Sequence, residues 1–208
     1  MEKRNQRFAL TILVILFLTS IISCSSIPCL EINYQLPRRS DILRKVQVVY
    51  EFDDARRIRE VLGKGAKEDF ENFSGNIFFS VARYNEPGFR IGLYKPSAIV
   101  KEGFKRRLEN IGLQLVQDQY NEKPRLLIVL NEFVLDLVDR KWVAKMSYEA
   151  RLLQNGKILA TQTISGKNVR LKIMGRGGAD AILGETFTDM VNKLDIEKLF
   201  RQAKLLYT

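Results

Sequence analysis

Two alternating runs joined by Asn155-Gly156 constrain the fold of this chain more than any other feature. Trp142, Ala144, Met146, Tyr148, Ala150 and Leu152 alternate with Lys145, Ser147, Glu149 and Arg151 over Trp142 to Leu152, the period of a strand with one covered face. Asn-Gly accepts the positive φ of a type I′ turn at both positions, so Lys157 to Val169 returns beside that strand as the second arm of a hairpin. Upstream, Arg125 to Leu137 opens with the unbroken apolar run Leu126 to Leu130, expected of a strand covered on both faces, and then alternates through Phe133, Leu135 and Leu137. The result is an antiparallel meander of long strands.

Two segments carry the helical period instead. Pro96-Ser97 opens one, with Ser97 as the expected N-cap, Val100, Phe104, Leu108 and Ile111 as its apolar stripe, and Gly112 as its end. The other begins near Ala179, presents Leu183, Phe187, Met190, Val191 and Leu194, and continues through Ile196, Leu199 and Phe200. Each has a single apolar stripe, which fits packing on one face of the meander. Lys45 to Phe52 reads as a first strand, Ile77 to Ala82 as a buried one, and Asn85 to Gly88 as a turn around Pro87. The expected class is α+β: an antiparallel sheet of four to six strands with both helices on one face. Lys101, Lys105, Arg106 and Arg107 form a basic outer face on the first helix, which either touches anionic headgroups or is simply solvated.

The N-terminus fixes compartment. Lys3, Arg4 and Arg7 precede an uncharged apolar run from Phe8 to Ile22, the n-region and h-region of a secretory signal. Ile21-Ile22-Ser23-Cys24 follows, and this resembles the lipobox of bacterial lipoproteins. That resemblance implies cleavage between Ser23 and Cys24 and diacylglycerol on the Cys24 thiol. Two other readings stay open. No charge occurs from Phe8 to Leu30, a stretch long enough to span a bilayer as an uncleaved anchor, and an ordinary secretory signal with an incidental cysteine is the third. Ser23, Ser25, Ser26 and Pro28 suit a processing site and tether better than a buried helix end. The expected organisation is a signal peptide over 1–23, a lipidated N-terminus and flexible tether over 24–44, and one domain over 45–208.

Composition narrows the chemistry. The chain has no histidine and no Cys-x-x-Cys, so the usual zinc sites and the usual Ser-His-Asp and Cys-His hydrolases are out of reach, and a Cys24 committed to lipid also removes any disulfide framework. No cofactor, metal or catalytic residue is expected, although an enzyme built on carboxylates, Lys or Tyr stays open. Removal of 1–23 lowers the formal charge from +10 to +8 over 185 residues. In an exported chain such a balance favours a lipid surface over nucleic acid, or marks a solvated face. Gly175-Arg176-Gly177-Gly178 precedes a helix but lacks the Lys and Ser/Thr of a P-loop, so a strand-to-helix connector is the better reading than a phosphate site.

Seven aromatics crowd the stretch from Phe70 to Tyr94. One short strand cannot bury them all, so Phe70, Phe73, Phe79, Tyr84, Phe89 and Tyr94 are the candidate surface for a partner or lipid. The competing reading packs them as a second small core under a long loop.

The lipobox, a tether with Tyr34-x-Leu36-Pro37, a strand, the Ser97 to Ile111 helix running into Gly112-Leu113, the meander with its Asn-Gly turn and the amphipathic C-terminal helix together resemble the ABC-type transport auxiliary lipoproteins and the YajG-type lipoproteins. The resemblance implies a periplasm-facing, non-catalytic accessory protein of an ABC/MCE-type lipid-transport system, held to the membrane by its N-terminal lipid and partnered by an envelope protein. Ser25, rather than Asp, after the cysteine implies the outer membrane in a Gram-negative host. A structural or assembly lipoprotein that supports another envelope protein is the alternative.

Overall fold

The meander follows its alternation. The computed structural model describes residues 28–117 and 122–206. Within it, β6 (Arg125–Val138), β7 (Lys141–Gln154) and β8 (Lys157–Leu171) are successive antiparallel strands, after β1 (Leu30–Gln35), β2 (Gln47–Asp54), β3 (Ile77–Ala82), β4 (Phe89–Tyr94) and β5 (Gln114–Leu115). Asn155 and Gly156 take φ of 49° and 72°, as the type I′ turn requires. Trp142, Ala144, Met146, Tyr148, Ala150 and Leu152 are all completely buried on one face of β7, while Lys145, Ser147, Glu149 and Arg151 on the other stay half-exposed.

The helices are α1 (Lys64–Asp69), α2 (Pro96–Asn110), α3 (Ala179–Lys193) and α4 (Ile196–Gln202). Their stripes are the expected ones: Val100, Phe104 and Leu108 on α2 and Leu183, Phe187 and Val191 on α3 are fully buried. The start of α2 differs. Lys95 is the N-cap and Pro96 occupies N1, where its missing N–H costs nothing, so Ser97 falls inside the first turn and makes no cap. Gly112 ends the helix at φ 93°, with the Leu113 N–H bonded back to the Leu108 carbonyl at 3.2 Å.

The sheet is mixed at one edge. Its order is β5-β2-β6-β7-β8, and β2 runs parallel to both β5 and β6. A second, three-stranded sheet in the order β1-β3-β4 is the larger departure from expectation. Its first strand lies inside the segment expected to be a tether over 24–44. Leu30, Ile32 and Tyr34 are fully buried beneath α3, whereas Glu31, Asn33 and Gln35 point outward. The Tyr34 hydroxyl donates to Asn192 Oδ1 at 2.9 Å, and Asn192 Nδ2 donates to the Gln35 carbonyl at 2.9 Å. The folded domain thus reaches back to Leu30. β2 in turn starts at Gln47, because Lys45 is held at φ 77° and cannot extend the strand.

One core serves both sheets. The Phe187 ring on α3 meets Tyr34 at 5.3 Å, Phe79 at 5.9 Å and Phe133 at 6.0 Å between centroids, so a single helical side chain joins β1, β3 and β6. Tyr148 adds a polar tie: its hydroxyl donates to the Met190 carbonyl at 2.8 Å.

Candidate functional site

The aromatic segment divides between core and surface. Phe79 is fully buried on the inner face of β3 with Ile77 and Val81, which the strand's alternation requires. Phe70 closes α1 over Trp142, ring to ring at 5.9 Å, and is also buried. These two therefore leave the proposed surface and join the core. Phe73 packs on Phe70 at 6.2 Å and lines a cleft of about 880 Å³ with Arg56, Arg59 and Lys95. Tyr84, Phe89 and Tyr94 are exposed, and Leu93, which the aromatic pattern overlooked, is exposed with them.

β4 carries three of these four residues at the edge of the small sheet. It pairs with β3 from Ile77↔Tyr94 to Val81↔Phe89, and among the described residues no strand lies on its other side. Its two ends differ. Phe89 and Tyr84, near the turn, line a second cleft of about 550 Å³ with Arg38, Arg39, Arg83 and Arg106, partly offset by Glu86 and Glu109. Tyr94, at the opposite end, lays its ring over Gly92, where a Cβ would stand 3.1 Å from Tyr94 Cε2. Across the outer face Arg90 stacks on Phe78 at 4.5 Å and bonds Glu31 at 3.2 Å.

Of the arginines of this cleft, only Arg106 was singled out from sequence, as part of the basic face of α2; Arg38, Arg39 and Arg83 were not. Arg38-Arg39, Arg83 and Arg106 come from three separate segments, and only the fold brings them together. The basic face of α2, to which Arg106 also belongs, loses most of its free charge. Arg106 Nε donates to Glu102 at 2.7 Å, Lys105 lies 4.0 Å from Glu109, and burial lowers the pKa of Arg107, which turns toward Tyr34 and Tyr148. That pairing favours a solvated face over a headgroup site.

The glycine-rich stretch is a connector. The Gly177 N–H bonds the Met174 carbonyl at 2.9 Å, the Ala179 N–H bonds that of Arg176 at 3.2 Å, and the Gly177 carbonyl accepts from Trp142 Nε1 at 3.1 Å. Amides committed to the turn are not aimed at a phosphate. Among the described residues no three His, Cys, Asp or Glu side chains converge as metal ligands, and no helix is long and apolar enough to cross a membrane. Ser23 and Cys24 lie outside the described residues, and Cys29 is exposed.

No family model and no curated protein matches the chain. Among solved structures it is similar to protein XCC0632 from Xanthomonas campestris, of family-model DUF330, at 16% identity and a TM-score of 0.53, covering 84% of this chain and 99% of that one. It is also similar to a minor lipoprotein from Acinetobacter baumannii, at 10% identity and a TM-score of 0.39 over 77% of this chain and 94% of that one. Lipoprotein GNA1162 from Neisseria meningitidis matches at 16% identity and a TM-score of 0.31, over 71% of this chain and 96% of that one. The likeness to the Xanthomonas protein is one of fold, and it spans nearly all of that chain.

Proposed function

We propose that the protein is a lipid-anchored envelope protein that faces the periplasm and acts without catalysis, as an accessory subunit docking another component of an ABC/MCE-type lipid-transport system. The observation that carries this reading is the polarity of the small sheet. The chain joins the domain at Leu30, the start of β1, while the cleft with Tyr84, Phe89 and four arginines lies at the other end, beyond Leu36. A tether at one end and an aromatic and arginine-rich cleft at the other suit a molecule held to a membrane that presents its far end to a partner. Tyr and Arg are the residue types on which binding energy concentrates.

Two further features support the reading. The Ser23-Cys24 junction after the h-region supplies the anchor, and Ser25 favours the outer membrane in a Gram-negative host. The lack of histidine removes the commonest general base, in keeping with a binding role. The test is crosslinking in cells from photoreactive residues at Tyr84 and Phe89. Capture of a permease, an ATPase or a substrate-binding component supports the accessory role. Capture of a β-barrel or appendage protein moves the assignment to assembly, and silence at both positions removes the docking role.

A further inference from the structure

The connector from β8 to α3 carries an unused feature at the opposite end of the domain. Ile173 and Met174 are 82% and 81% exposed, the most exposed large apolar side chains among the described residues. They sit side by side at the tip of Lys172-Ile173-Met174-Gly175-Arg176, with Leu171, Val169 and Val138 exposed just behind them. Apolar pairs in this position lose no fold stability by leaving water, and they gain from any apolar medium that covers them.

The tip is held in place. The Lys172 N–H bonds the Arg140 carbonyl at 2.9 Å, which ties the tip to the β6–β7 turn, and Lys172 Nζ binds both oxygens of Asp69 at 2.5 and 2.6 Å. On the other side Arg176 lies 5.5 Å over the Phe70 ring. Exposed Arg140 and Lys141, beside Lys172 and Leu171, and exposed Arg176, two residues past Met174, lie at the same tip, while the acidic groups there are Asp69, taken up by Lys172, with Asp139 and Asp180. Cations around a protruding apolar pair suit the boundary between headgroups and acyl chains, where long basic side chains keep their charge at the surface.

The N-terminus arrives at this same end. The Glu31 N–H donates to Asp180 Oδ1 at 2.8 Å, so β1 starts beside the first turn of α3, two residues past the connector. From Cys24 to Leu30 is a step of six residues, which reaches about 20 Å at most. A lipid on Cys24 therefore holds this end, and not the arginine cleft, against the bilayer.

We infer that the 172–178 connector enters the membrane surface with Ile173 and Met174 at its tip, and thereby sets the orientation of the domain on the bilayer that holds its lipid. The inference rests on the anchored reading above. Its occupant is a bilayer with anionic headgroups.

The test uses the full lipidated chain, purified from membranes and reconstituted in vesicles of phosphatidylethanolamine and phosphatidylglycerol with brominated acyl chains. The Ile173→Trp variant should shift its emission to the blue and lose at least half its intensity relative to vesicles without bromine. Ile158→Trp is the control, since Ile158 is 55% exposed at the start of β8, roughly 40 Å along the strand from the tip. Its bromine quenching should not exceed that of the wild-type chain, whose one tryptophan is the buried Trp142. Both sites are solvent-exposed, so both variants keep the fold, and Met174→Trp gives an independent second reading of the tip. Equal quenching at the two ends, or none at 173 and 174, overturns the inference. The lipid on Cys24 is scored separately by mass. A chain without it refutes the anchor, while quenching at the tip still decides whether the connector meets the bilayer.

Discussion

Gly103 of α2 stands so close to Phe187 of α3 that a Cβ on the glycine would come within 2.4 Å of the ring's Cζ. Phe187 cannot yield, because Tyr34, Phe79 and Phe133 enclose it. The helix crossing exists only because position 103 has no side chain. Gly103→Ala gains about 1 kcal/mol in helix propensity, but overpacking a closed core costs about 1–3 kcal/mol, and at this separation the upper part of that range applies. Gly103→Ala should therefore lower the melting temperature. Gly166→Ala makes the contrast: its Cβ also meets a side chain at 2.4 Å, but that is the flexible end of Met190, so the change should be nearly neutral. Thermal unfolding of the two variants side by side checks the difference.

A second prediction concerns acid. Asp54 holds the buried Arg56 guanidinium in a fork, with Nε to Oδ1 at 2.7 Å and Nη2 to Oδ2 at 2.8 Å, while Arg56 Nη1 reaches the Phe133 carbonyl at 3.4 Å. The hydrogen bonds from Arg56 keep the Asp54 carboxyl below its ordinary pKa. A carboxyl lowered on folding contributes stability that is present above its unfolded pKa and lost as pH falls through the folded value. Asp54→Asn should accordingly cost about 2 kcal/mol near neutral pH. The gap in stability between wild type and variant should narrow below about pH 4, where an aspartate in the unfolded chain begins to protonate, and go on narrowing as pH falls through the lower folded value. Denaturant unfolding of both proteins over the acid range measures that convergence, and a gap independent of pH would refute the ion pair's role.

What sequence could and could not convey follows from the range of each interaction. The meander was legible because every clue is local: a period of two in β7, an Asn-Gly turn, and a return strand of nearly the same length. β1 was hidden by its brevity, six residues between Pro28 and Pro37, although Leu30, Ile32 and Tyr34 do alternate. Parallel pairing of β2 with β6 and of β1 with β3 leaves no local trace, since each joins strands across a long crossover. The surface was legible in the same uneven way. Phe79 could have been assigned to the core from its alternation with Ile77 and Val81. Phe70 could not, because its burial depends on Trp142, which only the fold brings beneath it. The arginine cleft likewise exists only after three distant segments meet.

The faces assigned to the helices lead to a third prediction. Phe104 is fully buried with its ring 4.8 Å from Tyr148, and Leu183 is fully buried on α3. Phe104→Asp and Leu183→Asp each place an unpaired carboxylate in an apolar site and remove core packing, a combined cost of several kcal/mol. Both variants should lose cooperative melting or accumulate poorly. Lys101→Asp, on the exposed face of α2, should shift melting by no more than about 0.5 kcal/mol in equivalent stability. Unchanged melting in the two core variants would overturn the assignment.

Anchoring is the prediction on which the orientation of the whole molecule depends. Because the domain begins at Leu30, few residues remain to act as a spacer, and the position of the lipid decides which end of the domain lies near the bilayer. If Cys24 carries diacylglycerol, radiolabelled palmitate should enter the wild-type protein in cells. Cys24→Ala should lose both the label and tight membrane association while keeping the same melting temperature once purified, since the change lies six residues before the first buried strand. Cys29→Ala should keep the label, because Pro28 stands where the signal peptidase needs a small, flexible residue. Retention of label in Cys24→Ala would refute the lipobox assignment. Membrane retention without any label in either protein would identify the uncharged stretch from Phe8 to Leu30 as an uncleaved anchor instead.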